Sequence, residues 1–443
     1  MTACAIEDGA MTGDGGSAEP EPEPDPGGRA EAVTETGPAE TGPAEGVPTG
    51  SAPAEGAPAS EAGAPAAGPE AGSPAETVLP AFTLTADGAY GARLTAAPVP
   101  GSDTAWYAER WTLDGPEPYA VPLPTDQPEE AEAQVVPLAD GRVLIRRRVA
   151  ERHTFSLLYP TGPGTGELLL GAVERDALAL LPPSPDGVSA YALAVGAYST
   201  ELWRVAGGGA DGPEHLADLP GRCSGGVWLD RTGRMLALDR EPAGGGPVKT
   251  VAVDLGRGAE MTPLLQIAPE SDDRLLLADP DSGLLLIRSD APGHDRLGWG
   301  VLGSCLPVRF PECLRLPDCS VEPFAVQPGQ MLMPESCAVA LRIDGAAGSW
   351  IGLWRPSGRR LHQLAAPGGW LAGSGVWSRD GVLKLPYADG DTACAVALLE
   401  MPEETDSGGD VSGRQPSAPS MNPPVCTPVP LGQAPLVGHT TPD

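Results

Sequence analysis

The stretch SPDGVSAYALAVGAYSTELWRVAGGG, residues 184–209, decides the fold. It opens on Ser-Pro-Asp-Gly, and Asp-Gly favours the positive φ that tight hairpins need. Two apolar runs follow, VSAYALAV (188–195) and STELWRV (199–205). Short runs rich in β-branched and aromatic residues, bounded by Gly and Pro, read as strands. The stretch therefore predicts a turn, two strands and the start of a connection.

The turn recurs along the chain. It stands as LTADG (84–88), LADG (138–141), SPDG (184–187), DRTG (230–233), DPDSG (279–283), QPGQ (327–330) and SRDG (378–381). The turn glycines are Gly88, Gly141, Gly187, Gly233, Gly283, Gly329 and Gly381, spaced 53, 46, 46, 50, 46 and 52 residues apart. Asp87, Asp140, Asp186 and Asp380 precede a turn glycine and read as structural, because Asp caps its own turn through its carboxylate. Before each turn lies a strand-like run, as in QVVPL (134–138) and RLLLA (274–278). A second follows most turns, as in RVLIR (142–146) and RMLALD (234–239). A third and often a fourth come later, as in KTVAVDL (249–255) and TPLLQI (262–267). Four short strands per repeat, seven times, is the arithmetic of an all-β, seven-bladed β-propeller, with six or eight blades as the alternatives. No 12-residue amphipathic helix pattern interrupts the repeats, which disfavours parallel α/β folds.

The repeat at 184–209 resembles the TolB-type, WD40-like propeller repeat: Ser-Pro-Asp-Gly, an apolar strand, then Glu-Leu-Trp-Arg-Val and Gly. It is also similar to the propellers of prolyl oligopeptidases. SRDG (378–381) and GSWIGLW (348–354) carry the likeness further, which spans roughly 79–400. TolB propellers have six blades, whereas seven repeats are counted here. The Trp-Asp dipeptide of true WD40 repeats is absent. The peptidase likeness implies a hydrolase only if a nucleophile elbow, G-x-S-x-G, is present. The sequence has none.

The flanks have a different composition. All twenty aromatics lie between Phe82 and Tyr387. Aromatics supply much of a core's buried area, which places the propeller at 79–402. Residues 1–78 read as a disordered acidic arm rich in Pro, Ala, Gly and Glu, with EPEPEPDP at 19–26. Residues 403–424 read as a second disordered segment, rich in Ser, Gly and Pro. The tail 425–443 contains an apolar island, VCTPVPLGQAPLV (425–437), which is expected to supply a closing strand to the last blade.

The net charge is −32, of which residues 1–78 carry −14 and 79–400 another −14. Such a field repels nucleic acid. No window of 18 apolar residues marks a membrane span, and the first residues, MTACAIEDGAMTGDGG, lack basic and apolar leader regions. The expected location is therefore cytoplasmic.

The candidate chemistry is thin. DPDSG (279–283) with Asp290 lacks the sixth-position Gly of a calcium loop, since Leu284 stands there. Cys305, Cys313, Cys319 and Cys337 with His294 are too widely spaced for the usual zinc pairs. They read as buried or incidental thiols, with a disulfide as the alternative in an oxidising compartment, in a segment (305–319) expected to be a loop inserted between blades five and six. No metal or cofactor is expected. RVLIRRRVAER (142–152) concentrates Arg142, Arg146, Arg147, Arg148 and Arg152 on an acidic chain. It reads as a solvated outer strand, or as an anion-docking patch for an acidic segment such as the chain's own arm. The expected function is non-catalytic: a scaffold for a protein partner. The alternative is a small-ligand or enzymatic propeller with a site at the central channel.

Overall fold

The computed structural model describes residues 82–97, 105–209, 212–329 and 333–402. The expectations for 1–78, 403–424 and 425–443 lie outside these residues. Within them the chain is all-β, with no α-helix.

The strands form successive antiparallel meanders. Sheet one contains β1 (Thr83–Leu84), β2 (Tyr90–Ala97), β3 (Ala105–Thr112) and β4 (Tyr119–Leu123). Sheet two contains β5 (Gln134–Pro137), β6 (Val143–Val149), β7 (Arg152–Pro160) and β8 (Thr165–Val173). Sheet three contains β9 (Ala179–Leu180), β10 (Ala190–Val195), β11 (Ser199–Ala206) and β12 (Glu214–Pro220). Sheet four contains β13 (Arg222–Trp228), β14 (Met235–Glu241), β15 (Lys249–Asp254) and β16 (Glu260–Pro263). Sheet five contains β17 (Asp273–Ala278), β18 (Leu284–Ser289) and β19 (Arg296–Val301), joined to sheet four by one parallel pairing, Lys249 with Asp273. Sheet six contains β20 (Ser320–Val326), β21 (Val339–Gly345), β22 (Gly348–Trp354) and β23 (His362–Leu364). Sheet seven contains β24 (Val376–Trp377), β25 (Val382–Tyr387) and β26 (Ala395–Glu400).

Second strands are buried on both faces, which is why they read as continuous apolar runs rather than alternating ones. Successive side chains of a strand point to opposite faces, so each second strand feeds two seams. In β6, Val143 and Ile145 join a cluster with sheet one, while Leu144 joins one with sheet three. In β18, Leu285 and Ile287 face sheet four, while Leu284 and Leu286 face sheet six. Fourth strands are wetter, as in β8, where Glu167, Leu168 and Leu169 are exposed.

Seven apolar seams result, each between two sheets. Six lie between consecutive sheets. The seventh joins the first sheet to the last: Phe82, Trp111 and Leu113 pack with Leu371, Cys394 and Val396. Phe82 and Trp111 meet edge-to-face at 4.9 Å inside it.

The turns before the second strands have the expected backbone, with one exception. Gly88, Gly141, Gly187, Gly233, Gly283 and Gly381 take φ values of 70–83°. Asp87, Asp140 and Asp186 each accept a backbone N–H two residues on. In the last turn Ser378 Oγ accepts from Val382 N at 3.1 Å instead. QPGQ is the exception. Gly329 lacks positive φ, and the connection from Val326 to Val339 is long and includes a 3-10 turn, Pro334–Ser336.

The cysteine-containing segment also differs in part. It is a loop between sheets five and six, exposed over 302–307, but its later part is packed rather than free. Arg309 pairs with Trp299 through both backbone bonds (2.8 and 2.9 Å), so the segment covers the outer edge of β19. Leu314, Cys313, Leu316 and Cys319 then pack into the seam between sheets five and six. The expected fourth strand of sheet seven is absent among the described residues.

Candidate interaction face

The first strands of successive sheets touch one another, as in β1 with β5, β5 with β9, β17 with β20 and β20 with β24. Each first strand runs into its turn, so the turns gather at one end of the sheets, the turn face. Neighbouring turns are in contact there. Ala139 N donates to Gly187 O at 2.9 Å, and Arg110 Nη1 to Gly141 O at 3.3 Å. Arg231 forms an ion pair with Asp281, and Gly329 N donates to Asp279 Oδ2 at 3.0 Å. A side chain on Gly233 would meet Ser184, one on Gly381 would meet Gln327, and one on Gly88 would meet Val376. The turn of sheet one thus packs on sheet seven.

The arginines at 142–152 do not share one surface. Arg142 binds the turn carboxylate of Asp140 at 2.7 Å. Arg146 is buried and donates to Leu178 O (2.6 Å) and Glu132 O (2.7 Å). His153 Nδ1 lies 3.1 Å from it. Burial and the adjacent guanidinium push the His153 imidazole below its ordinary pKa, so a neutral Nδ1 accepts that bond. Arg147 points to the other side of the strand. It holds Glu129 bidentately (2.7 and 2.8 Å) and reaches Glu167 at 2.6 Å. Only Arg148 and Arg152 are exposed.

A buried polar network joins sheets four and five. Asp273 accepts from Lys249 Nζ (2.6 Å), Ile267 N (2.8 Å), Ser271 Oγ (2.8 Å) and Ser289 Oγ (2.7 Å). Burial opposes its charge, but these donors hold its carboxyl below the usual range. Asp239 is less well served. It accepts from Thr250 Oγ1 (2.7 Å) and Leu275 N (3.2 Å), with Arg274 at 3.8 Å, and burial pushes its carboxyl up to about 6. A small pocket of about 120 Å³ lies between sheets five and six, beside Arg288, Arg296, Arg315 and Cys319. Glu322 and Asp295 already hold Arg288, and Glu312 holds Arg296. Among the described residues no group of three or more His, Cys, Asp or Glu could hold a metal ion.

Solvent-facing apolar side chains mark the turn face at sheets five and six. Leu306 is 64% exposed, Met333 69% and Leu302 38%. Both of their loops touch the 279–283 turn. Leu302 N donates to Gly283 O at 2.8 Å on one side, and Gly329 meets Asp279 and Ser282 on the other. Beside Met333 lies the connection from β22 to β23, docked by Ser357 N on Glu335 O at 2.8 Å. It carries Arg355, Arg359 and Arg360, the last two exposed. Sequence reasoning passed over this site. Its signal was RPSGRR (355–360), a basic run on an acidic chain.

No family model matches the sequence, and no curated protein matches it. Solved structures do. The β-propeller domain of the Trilobed protease from Pyrococcus furiosus is 9% identical, with 75% of this chain and 100% of that one covered and a TM-score of 0.46. Prolyl oligopeptidase B from Galerina marginata is 13% identical over 72% of this chain and 46% of that one, with a TM-score of 0.43. TolB from Acinetobacter baumannii is 11% identical over 71% and 78%, with a TM-score of 0.36. The chain spans about half the length of the peptidases first among these matches, 46% and 52%. TolB and the prolyl oligopeptidases are the proteins whose repeat the stretch 184–209 resembles. No helix among the described residues is long and apolar enough to cross a membrane.

Proposed function

We propose that the seven sheets close into one seven-bladed ring whose turn face is a non-catalytic scaffold for a protein partner. Seven seams for seven sheets support the ring, because an open row of seven has only six. The first-to-last cluster around Phe82 and Trp111 is the additional one.

The exposure of Leu306 and Met333 on loops flanking one turn carries the interaction reading. Single exposed apolar residues are ordinary, but exposed ones on two loops that dock on the same turn make a candidate contact site. The channel reading has one observation in its favour, the raised carboxyl of Asp239. The hydrogen bonds and ion pair that Asp239 makes all come from two adjacent sheets, whereas a site on a ring axis draws on several.

Capture from native lysate by the full chain tests the scaffold. A Leu306→Asp/Met333→Asp variant should keep the wild-type melting temperature, since both side chains are in solvent. It should lose the proteins that the wild type retains. Equal capture by both would contradict the reading.

A further inference from the structure

We infer that the segment this face takes is acidic: a partner peptide with carboxylates flanking an apolar anchor. This rests on the scaffold reading and adds the partner's chemistry.

The described residues include 21 other arginines. Thirteen of them form salt bridges with neighbouring carboxylates. Arg355, Arg359 and Arg360 form none among the described residues, although the chain has 60 acids to 28 bases. Repulsion by the surrounding acidic surface disfavours an acidic partner at long range. Guanidiniums without a salt bridge, on a connection docked two residues from exposed Met333, reverse that locally. A guanidinium matches a carboxylate bidentately. Exposed pairs contribute only about 0–1 kcal/mol each, so the apolar anchor on Met333 and Leu306 supplies most of the affinity. The arginines then select the partner's charge and raise the rate of encounter. A nucleic acid would use the same arginines, but Leu306 and Met333 offer nothing to a phosphate backbone, and the net charge opposes it.

The probe is a fluorescein-labelled peptide of alternating Glu and Leu, titrated by anisotropy against the full chain. It should bind the wild type and weaken with added salt. Binding should fall about tenfold or more in Arg359→Glu/Arg360→Glu, because two attractive pairs become repulsive, and also in Met333→Asp. Arg148→Glu/Arg152→Glu should bind as the wild type does, which excludes a general charge effect. Equal binding by the 359/360 variant would overturn the inference. So would tighter binding of a Lys-Leu peptide or of a single-stranded oligonucleotide. If lysate capture is lost in Leu306→Asp/Met333→Asp but kept in Arg359→Glu/Arg360→Glu, the face stands and the acidic chemistry fails.

Discussion

Asp239 shows how one buried residue sets a pH response. Its unfolded pKa is near 3.8 and its folded one about 6. The folded state therefore binds the proton more tightly. Above pH 6 the buried charge is a destabilising contribution, and it fades as pH falls through 6 towards 4. A pKa unit is worth about 1.4 kcal/mol, so the full effect is at most ~3 kcal/mol. Relative to Asp239→Asn, the wild type should gain stability between pH 7.5 and 5 in urea unfolding. Parallel curves for the two would contradict this. Asp273 has the opposite sign, because its lowered pKa gives stability that is lost on acidification. Both proteins share Asp273, so it cancels in the comparison. Gly187 is the residue-scale test of the turns. It has φ 70°, and a Cβ there would stand 2.4 Å from Ala139 Cβ. Gly187→Val should cost roughly 1–3 kcal/mol by thermal or chemical unfolding; an unchanged midpoint would refute the turn contact.

At the scale of elements, much of the fold was legible and its reasons are specific. Asp-Gly turns and two-sided apolar runs located second strands such as β10 and β18, because burial on both faces leaves no polar alternation. QPGQ misled, since Pro and Gly mark a connection but not its length. The loop expected at 305–319 does lie between sheets five and six, but its packing was not legible, because an irregular segment can cover a strand edge with only one paired residue, Arg309. RVLIRRRVAER looked like one patch in the sequence. The pleat sends Arg146 and Arg147 to opposite faces, and neighbouring sheets absorb both. A repeated Glu-x-Trp in third strands also went unread. Trp111 Nε1 donates to Glu109 at 2.8 Å and Trp203 Nε1 to Glu201 at 2.9 Å. The last sheet leaves β26 as an edge strand among the described residues. We propose 425–437, which lies outside them, as its partner. Deleting 424–443 should lower the melting temperature; no change would refute this pairing.

For the whole molecule, the claim is a closed ring. Opening it would expose the cluster of Phe82, Trp111 and Leu113. Trp111→Ala, which truncates a fully buried side chain, should destabilise by roughly 3–5 kcal/mol. That loss alone would not distinguish a ring seam from any core. A covalent link between the ends would. The Cβ position at Gly88 lies 3.3 Å from Val376 Cβ, close to the ~3.5–4.5 Å of a disulfide. In oxidised Gly88→Cys/Val376→Cys, peptide mapping should find residues 88 and 376 joined by a disulfide within one chain. A folded double variant in which these two cysteines stay unpaired would contradict the closed seven-bladed ring.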